Sequence, residues 1–175
     1  MLNFYLIEDV IARAKDFECG LRRLYNNDGM TFFWISPQGE KKASLPLDTR
    51  RVDYNYSIMH EGLEKTISDI ETQHDSKHLI LLDLVLNQSE DERIRKLGAS
   101  EYIADTAKEI VNLINGRVQV IVISVIPHIY REWRKVLSLD DDTCKDNIMF
   151  ISGRSITGGN DTTDAKKRIN AFIGK

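Results

Sequence analysis

With 175 residues, of which 42% are hydrophobic, the chain is long enough to bury a core without disulfides or a structural metal, so we expect residues 1–175 to form a single domain. Its net charge of −3, with basic and acidic residues interspersed, excludes the basic surface that non-specific nucleic-acid binding requires. The longest apolar run, residues 118–126, contains polar residues and is too short to span a bilayer, which argues against a membrane protein. Two cysteines form neither a disulfide framework nor a metal-ligand spacing, and a cytoplasmic location is expected.

Five strand-like runs alternate with helix-like stretches along the chain. In chain order, the predicted strands are residues 3–9, 30–35, 78–83, 118–124 and 148–151. Apolar residues at helical spacing predict a helix after each strand, within residues 10–25, 59–70, 103–114, 129–137 and 165–173. Two connecting segments are longer than this alternation needs, residues 36–56 after the second strand and residues 87–102 after the third.

The alternation predicts an α/β fold, a (βα)5 doubly wound parallel sheet with helices on both faces. The first, third and fourth strands are apolar, as expected of strands that are buried on both faces, and the predicted strand order is 2-1-3-4-5. In the 36–56 insertion, Pro37-Gln38-Gly39 is a turn signal, and residues 40–45 are expected to fold back on the second strand as a hairpin. The 87–102 insertion is expected to contain a short extra helix.

Polar residues end three of the predicted strands. Glu8 and Asp9 end the first strand, Asp83 ends the third, and Ser124 ends the fourth. In open α/β sheets the ligands lie at the carboxyl ends of the strands, so these four residues are expected to meet on one rim. Carboxylates that meet in this way raise one another's pKa unless a divalent cation is present, and Mg²⁺ suits hard oxygen ligands. A carboxylate beside such a cation can attack a phosphoryl group in line.

On these residues the chain resembles the receiver domain of two-component response regulators, whose fold is flavodoxin-like. The resemblance implies that Asp83 accepts a phosphoryl group from a histidine kinase, as part of a phosphorelay. It also implies that Glu8 and Asp9, with Asp83 and the backbone carbonyl of Val85, bind Mg²⁺. By the same resemblance, Ser124 is the switch hydroxyl that moves to bond the phosphoryl group.

The end of the fifth strand departs from the receiver pattern. Receivers carry a lysine there, usually followed by proline, whereas this chain has Ser152-Gly153-Arg154. Arg154 stands two residues late and is a candidate phosphate contact, although a planar guanidinium does not replace an ammonium group. The resemblance is therefore to an atypical receiver.

Three functions stay open from the sequence alone. The first is a stand-alone receiver phosphorylated on Asp83, and the second is a pseudo-receiver that acts through protein contacts without phosphorylation. The third is a small enzyme that uses Glu8, Asp9 and Asp83 for metal-assisted phosphoryl hydrolysis, and the absence of a further base or nucleophile disfavours an enzyme. Each signal also has a purely structural interpretation, since Glu8 and Asp9 suit a helix N-terminus and Asp83 suits a turn.

The expected partners are a histidine kinase or another signalling protein, with a second copy of the chain as a further candidate. Trp133 lies beside Arg131, Arg134 and Lys135 and marks a candidate contact face. Its apolar spacing within the predicted helix favours core packing over partner binding.

Overall fold

The computed structural model describes residues 1–26, 29–139, 146–158 and 162–174, and it contains one mostly parallel sheet. The strands are β1 (Leu2–Ile7), β2 (Met30–Ile35), β3 (Lys41–Lys42), β4 (Lys77–Asp83), β5 (Gln119–Ser124) and β6 (Ile148–Ser152). The helices are α1 (Ile11–Leu24), α2 (Tyr56–Glu71), α3 (Gln88–Leu97), α4 (Asp105–Ile114), α5 (Trp133–Val136), α6 (Gly153–Thr157) and α7 (Thr162–Ile173). A 3₁₀ helix, Pro127–Arg131, precedes α5.

The α/β class and the parallel sheet predicted from the sequence are confirmed, but the exact strand order is not matched. The sheet has six strands in the order β3-β2-β1-β4-β5-β6, whereas five in the order 2-1-3-4-5 were predicted. The five predicted strands, now β1, β2, β4, β5 and β6, keep their predicted relative order. The additional strand is β3, which pairs antiparallel with β2 at the edge of the sheet. The other pairs are parallel, so the sheet as a whole is mixed and compatible with a flavodoxin-like arrangement.

Central strands buried on both faces explain the continuous apolar runs. The interior positions of β1, β4 and β5 are 0–1% exposed, because helices cover both faces of the sheet. Residues 88–97 form the extra helix expected in the second insertion. The predicted fourth helix is different: a 3₁₀ helix and the single turn of α5 take its place, and α6 is a short helix that the sequence pattern did not indicate.

The hairpin between β2 and β3 depends on Gly39. This residue has a φ of +77°, which favours glycine, and an added Cβ would lie 2.2 Å from the backbone nitrogen of Leu63 in α2. Its N–H donates to the Ser36 carbonyl oxygen at 2.8 Å, and this bond closes the turn. The hairpin is thereby packed directly on α2.

The last part of the 36–56 insertion extends beyond β2. Residues 50–55, here called the strap, cross the carboxyl ends of the strands from α1 toward α3. Val52 N–H donates to the Asp9 carbonyl oxygen at 2.8 Å, and Tyr54 N–H donates to the Leu86 carbonyl oxygen at 2.9 Å. The strap therefore forms a cover over the rim where the candidate residues lie.

Among the described helices, none combines the length and apolar character that a bilayer-spanning segment requires.

Candidate functional site

Glu8, Asp9 and Asp83 come together as a cluster, which we call the acidic cluster. Glu8 and Asp9 follow β1 directly, Asp83 is the last residue of β4, and these two strands are parallel neighbours with Ile7 opposite Leu82. Each of the three residues offers a carboxylate oxygen, and these atoms all lie within 4.8 Å of one another. Four residues were expected to meet on one rim, and the three carboxylates among them do lie together.

The acidic cluster is closed off from solvent. Glu8 and Asp9 are fully buried, and Asp83 is 3% exposed. Trp34 of β2 donates its indole N–H to the Glu8 carbonyl oxygen at 3.3 Å, and the strap binds the backbone of Asp9. Tyr54 of the strap is itself buried and donates its hydroxyl to the carbonyl oxygen of Ile35. A molecule that reacts with Asp83 would have to displace part of this cover.

An arginine of α1 lies among the three carboxylates. Arg13 Nη2 lies 3.0 Å from Glu8 Oε1, 3.1 Å from Asp9 Oδ1 and 3.6 Å from Asp83 Oδ2. Helical geometry explains this placement, because Arg13 lies four residues after Asp9 and so faces the same side of the first turn of α1. One guanidinium thus contributes positive charge to the whole acidic cluster.

A second arginine reaches the acidic cluster from the strap. Arg51 Nη2 lies 2.6 Å from Asp9 Oδ2, and its Nη1 donates to Asp91 of α3 at 3.2 Å. Arg51 also forms an isolated antiparallel bridge with Val10. These ion pairs therefore hold the strap against the acidic cluster and α3.

Three carboxylates and two guanidiniums leave one negative charge in excess when all five groups are ionised. Burial raises the pKa of Asp83 from 3.8 to about 7, against the lowering effect of Arg13 and with a further increase from the charge of Asp9. Burial also raises the pKa of Glu8 well above its usual range, with the charge of Asp83 next in importance and Arg13 opposing both. Near neutral pH, the acidic cluster is therefore poised to hold a proton or to attract a further cation.

Three buried carboxylate oxygens of the acidic cluster accept no hydrogen bond. They are Glu8 Oε2, Asp9 Oδ2 and Asp83 Oδ2, of which the last two have an arginine nitrogen nearby, at 2.6 Å and 3.6 Å. Carboxylate oxygens are hard ligands that suit a divalent cation such as Mg²⁺, and this ion would neutralise the excess negative charge. Arg13 already lies among the same carboxylates, so Mg²⁺ and this guanidinium would compete for one place.

Val85 and Ser124 are both buried near the carboxyl ends of β4 and β5. The backbone N–H groups of Leu84 and Val85 hydrogen-bond to the Asp83 carboxylate and lower its pKa. Val85 therefore lies beside the acidic cluster, which it contacts through its N–H group. Ser124 Oγ accepts a hydrogen bond from Ile126 N–H at 3.1 Å. Ser124 follows Ile123, which pairs with Asp83 across the β4–β5 ladder.

Ser124 and Arg154 line a separate cleft of about 570 Å³ that also includes Ser152, His128 and Arg131. We call it the β5–β6 cleft. Glu8, Asp9 and Asp83 are not among the described residues that line it. The structure therefore divides the predicted site residues, with four of them in or beside the acidic cluster and two in a neighbouring cleft.

Sequence reasoning missed Arg13 and Arg51. Arg13 lies in the first turn of the predicted helix, four residues after Asp9, and this spacing was a usable signal for the first. Arg51 lies in an irregular segment, and no periodicity relates it to Asp9.

Trp133 is half-buried and stacks on Phe150 with ring centroids 6.1 Å apart, which favours packing for this residue.

Comparison with known proteins yields no match. No protein-family model fits the chain, and no curated protein and no solved structure is significantly similar to it. A function for this chain has to be argued from its own residues and geometry.

Proposed function

We propose that the chain is a pseudo-receiver, a flavodoxin-like module that binds a signalling protein without being phosphorylated. It performs no catalytic turnover. In this proposal the acidic cluster is a structural element that joins β1, α1, β4 and the strap. The partner recognises the surface that this arrangement supports.

The position of Arg13 is the observation that carries the proposal. A receiver needs an external divalent cation among its carboxylates, because the cation screens the incoming phosphoryl group. Here a covalently attached guanidinium contacts all three carboxylates at 3.0 to 3.6 Å. An attached cation has no association step, so it competes effectively with dissolved Mg²⁺ at the same place.

The cover and the neighbouring cleft support the same conclusion. Asp83 is 3% exposed, whereas a phosphoacceptor must be reached by its donor. Arg154, the cation nearest in sequence to the missing lysine, lines the β5–β6 cleft, which Asp83 does not line. A phosphoryl group on Asp83 would thus lack an evident cationic partner other than Arg13.

The second candidate function is a phosphorylated receiver that binds Mg²⁺ at Glu8, Asp9 and Asp83. It is favoured by the oxygens Glu8 Oε2 and Asp83 Oδ2, which accept no hydrogen bond, and by the raised pKa of both groups, which a further cation would relieve. This function requires Arg13 to leave the carboxylates and the strap to open.

Beryllofluoride distinguishes the two functions because it mimics an aspartyl phosphate when Mg²⁺ is present. We expect the melting temperature of the wild type to be the same with and without millimolar Mg²⁺ and beryllofluoride, and the Asp83→Asn variant to behave in the same way. A stabilisation of the wild type by more than about 1 kcal/mol that Asp83→Asn abolishes would instead establish the phosphorylated receiver.

A further inference from the structure

The β5–β6 cleft is a cavity that the acidic cluster does not line. It opens at the carboxyl ends of β5 and β6 and has a volume of about 570 Å³, within the range of small-molecule sites. Ser124 and Ser152 are the last residues of the two strands and stand opposite each other in the parallel register. Both therefore bring a hydroxyl to the floor of the same cleft.

Positive charge dominates the wall of this cleft. Arg131 and Arg154 line it together with His128, and no described lining residue is acidic. Within the described part of the chain, neither arginine has a carboxylate oxygen within 4.0 Å, in contrast to Arg13 and Arg51. Two guanidiniums without carboxylate partners in one cleft are notable in a protein with a net charge of −3.

The backbone places these groups on one wall for a simple reason. His128 and Arg131 are three residues apart in the 3₁₀ helix, where side chains at this spacing lie above one another. Arg154 comes from a different element, the short helix α6 that follows β6 directly. The cations thus come from two separate elements and face one volume.

The hydroxyls complement the cations. Ser124 Oγ accepts a hydrogen bond from Ile126 N–H at 3.1 Å, which leaves its own hydrogen available to donate. Arginine forks and hydroxyl donors are the groups that bind phosphate oxygens in proteins. Val125 and Phe150 add apolar surface beside them, which suits an organic group attached to the phosphate.

We propose that the β5–β6 cleft binds a small phosphate-bearing anion, with Arg131 and Arg154 as its ionic contacts and Ser124 and Ser152 as hydroxyl donors. The ligand is non-covalently bound and is separate from any phosphoryl group on Asp83. The site does not depend on the pseudo-receiver function, because none of its residues belongs to the acidic cluster.

Calorimetric titration of the full chain with inorganic phosphate and with a nucleoside monophosphate tests this site, and the two probes separate the free anion from an organic phosphate. We expect saturable binding that weakens by about tenfold or more in Arg131→Gln and in Arg154→Gln, since each removes a charge-assisted hydrogen bond. Binding should also weaken as the salt concentration rises.

Lys135→Gln is the matched control, because Lys135 is an exposed cation of the adjacent helix α5 that does not line the cleft. Asp83→Asn is a second control and should bind both probes as the wild type does. No saturable binding of either probe up to about 10 mM would overturn the proposal. An equal loss of affinity in Lys135→Gln would also overturn it, because the attraction would then be a general effect of charge. Thermal melts of each variant verify that it is folded.

Discussion

Replacing Arg13 with glutamine removes a side chain that contacts all three members of the acidic cluster. Among the described residues, Arg51 would remain as the only cation in ionic contact with the cluster, and it reaches Asp9 but not Glu8 or Asp83. Glutamine keeps much of the length and the hydrogen-bonding capacity of arginine, so the variant isolates the effect of the charge. We expect Arg13→Gln to destabilise the fold strongly at alkaline pH.

The magnitude follows from burial and from the raised pKa values. Removing one partner of a buried ion pair costs about 3 to 5 kcal/mol when the other charge stays buried and uncompensated. Arg13 is 28% exposed, and protonation of Asp83 or Glu8 can relieve part of this cost, so we expect a loss of about 2 to 3 kcal/mol at pH 8. At pH 5 Asp83, whose pKa is raised to about 7, is protonated, and the loss should fall to about 1 kcal/mol.

Urea unfolding at pH 5 and pH 8, in the presence of a chelator, measures both values. Tryptophan fluorescence reports on the site directly, because Trp34 donates its indole N–H to the Glu8 carbonyl oxygen at 3.3 Å. Arg22→Gln is the matched control: Arg22 lies on the same helix and pairs at 2.8 Å with Glu18, but this pair is on the surface and should contribute less than about 1 kcal/mol. Its effect should not depend on pH in the same way.

Magnesium gives a second measurement on the same proteins. If Arg13 occupies the place of a cation, millimolar Mg²⁺ should restore stability to Arg13→Gln and leave the wild type unchanged. An unfolding free energy of Arg13→Gln within about 0.5 kcal/mol of the wild type at pH 8 would refute the reasoning, since a surface substitution has an effect of that size.

Three further predictions concern the acidic cluster, its cover and the β2–β3 hairpin. The folded-state pKa of Asp83 is raised from 3.8 to about 7, so the folded protein binds more protons than the unfolded chain between these pH values. The unfolding free energy, measured by urea titration with a chelator present, should therefore fall by at most about 4 kcal/mol as the pH rises through this range, and Asp83→Asn should flatten this dependence. Tyr54→Phe removes the hydroxyl that donates to Ile35 and should cost about 1 to 2 kcal/mol, with faster amide hydrogen exchange in residues 50–55 and unchanged exchange in the central strands. Gly39 has a φ of +77°, and Gly39→Ala places a Cβ 2.2 Å from the backbone nitrogen of Leu63. Thermal melts should therefore show a loss of more than about 2 kcal/mol in unfolding free energy. A neutral result would mean that the hairpin does not pack on α2.

Much of the fold could be predicted from the sequence because parallel strands buried on both faces leave an unmistakable pattern. The runs around Phe4 to Ile7, Leu79 to Leu82 and Val120 to Ile123 are apolar without alternation, and each is central in the sheet. A strand that ends in an acidic residue places that residue on the rim, so the meeting of Glu8, Asp9 and Asp83 followed from the same pattern.

Tertiary contacts decided what the acidic cluster contains and how it is covered. The antiparallel pairing of Lys41 and Lys42 with β2 is two residues long, which is too short for a reliable periodic signal, so the turn residues predicted the hairpin but not a sixth strand in the sheet. Arg51 arrives from a strap that has no regular structure, and its contact with Asp9 joins residues far apart in sequence.

By itself, the sequence determined which residues stand at the carboxyl ends of the strands, because strand periodicity is a local property of the chain. It did not determine that Arg13 enters the acidic cluster while Arg154 lines a different cleft. The direction and reach of a long side chain depend on the free space and the charges around it, and those exist only after the strands and the strap have come together. The local pattern therefore positions the carboxylates, and the assembled structure supplies the cations that surround them.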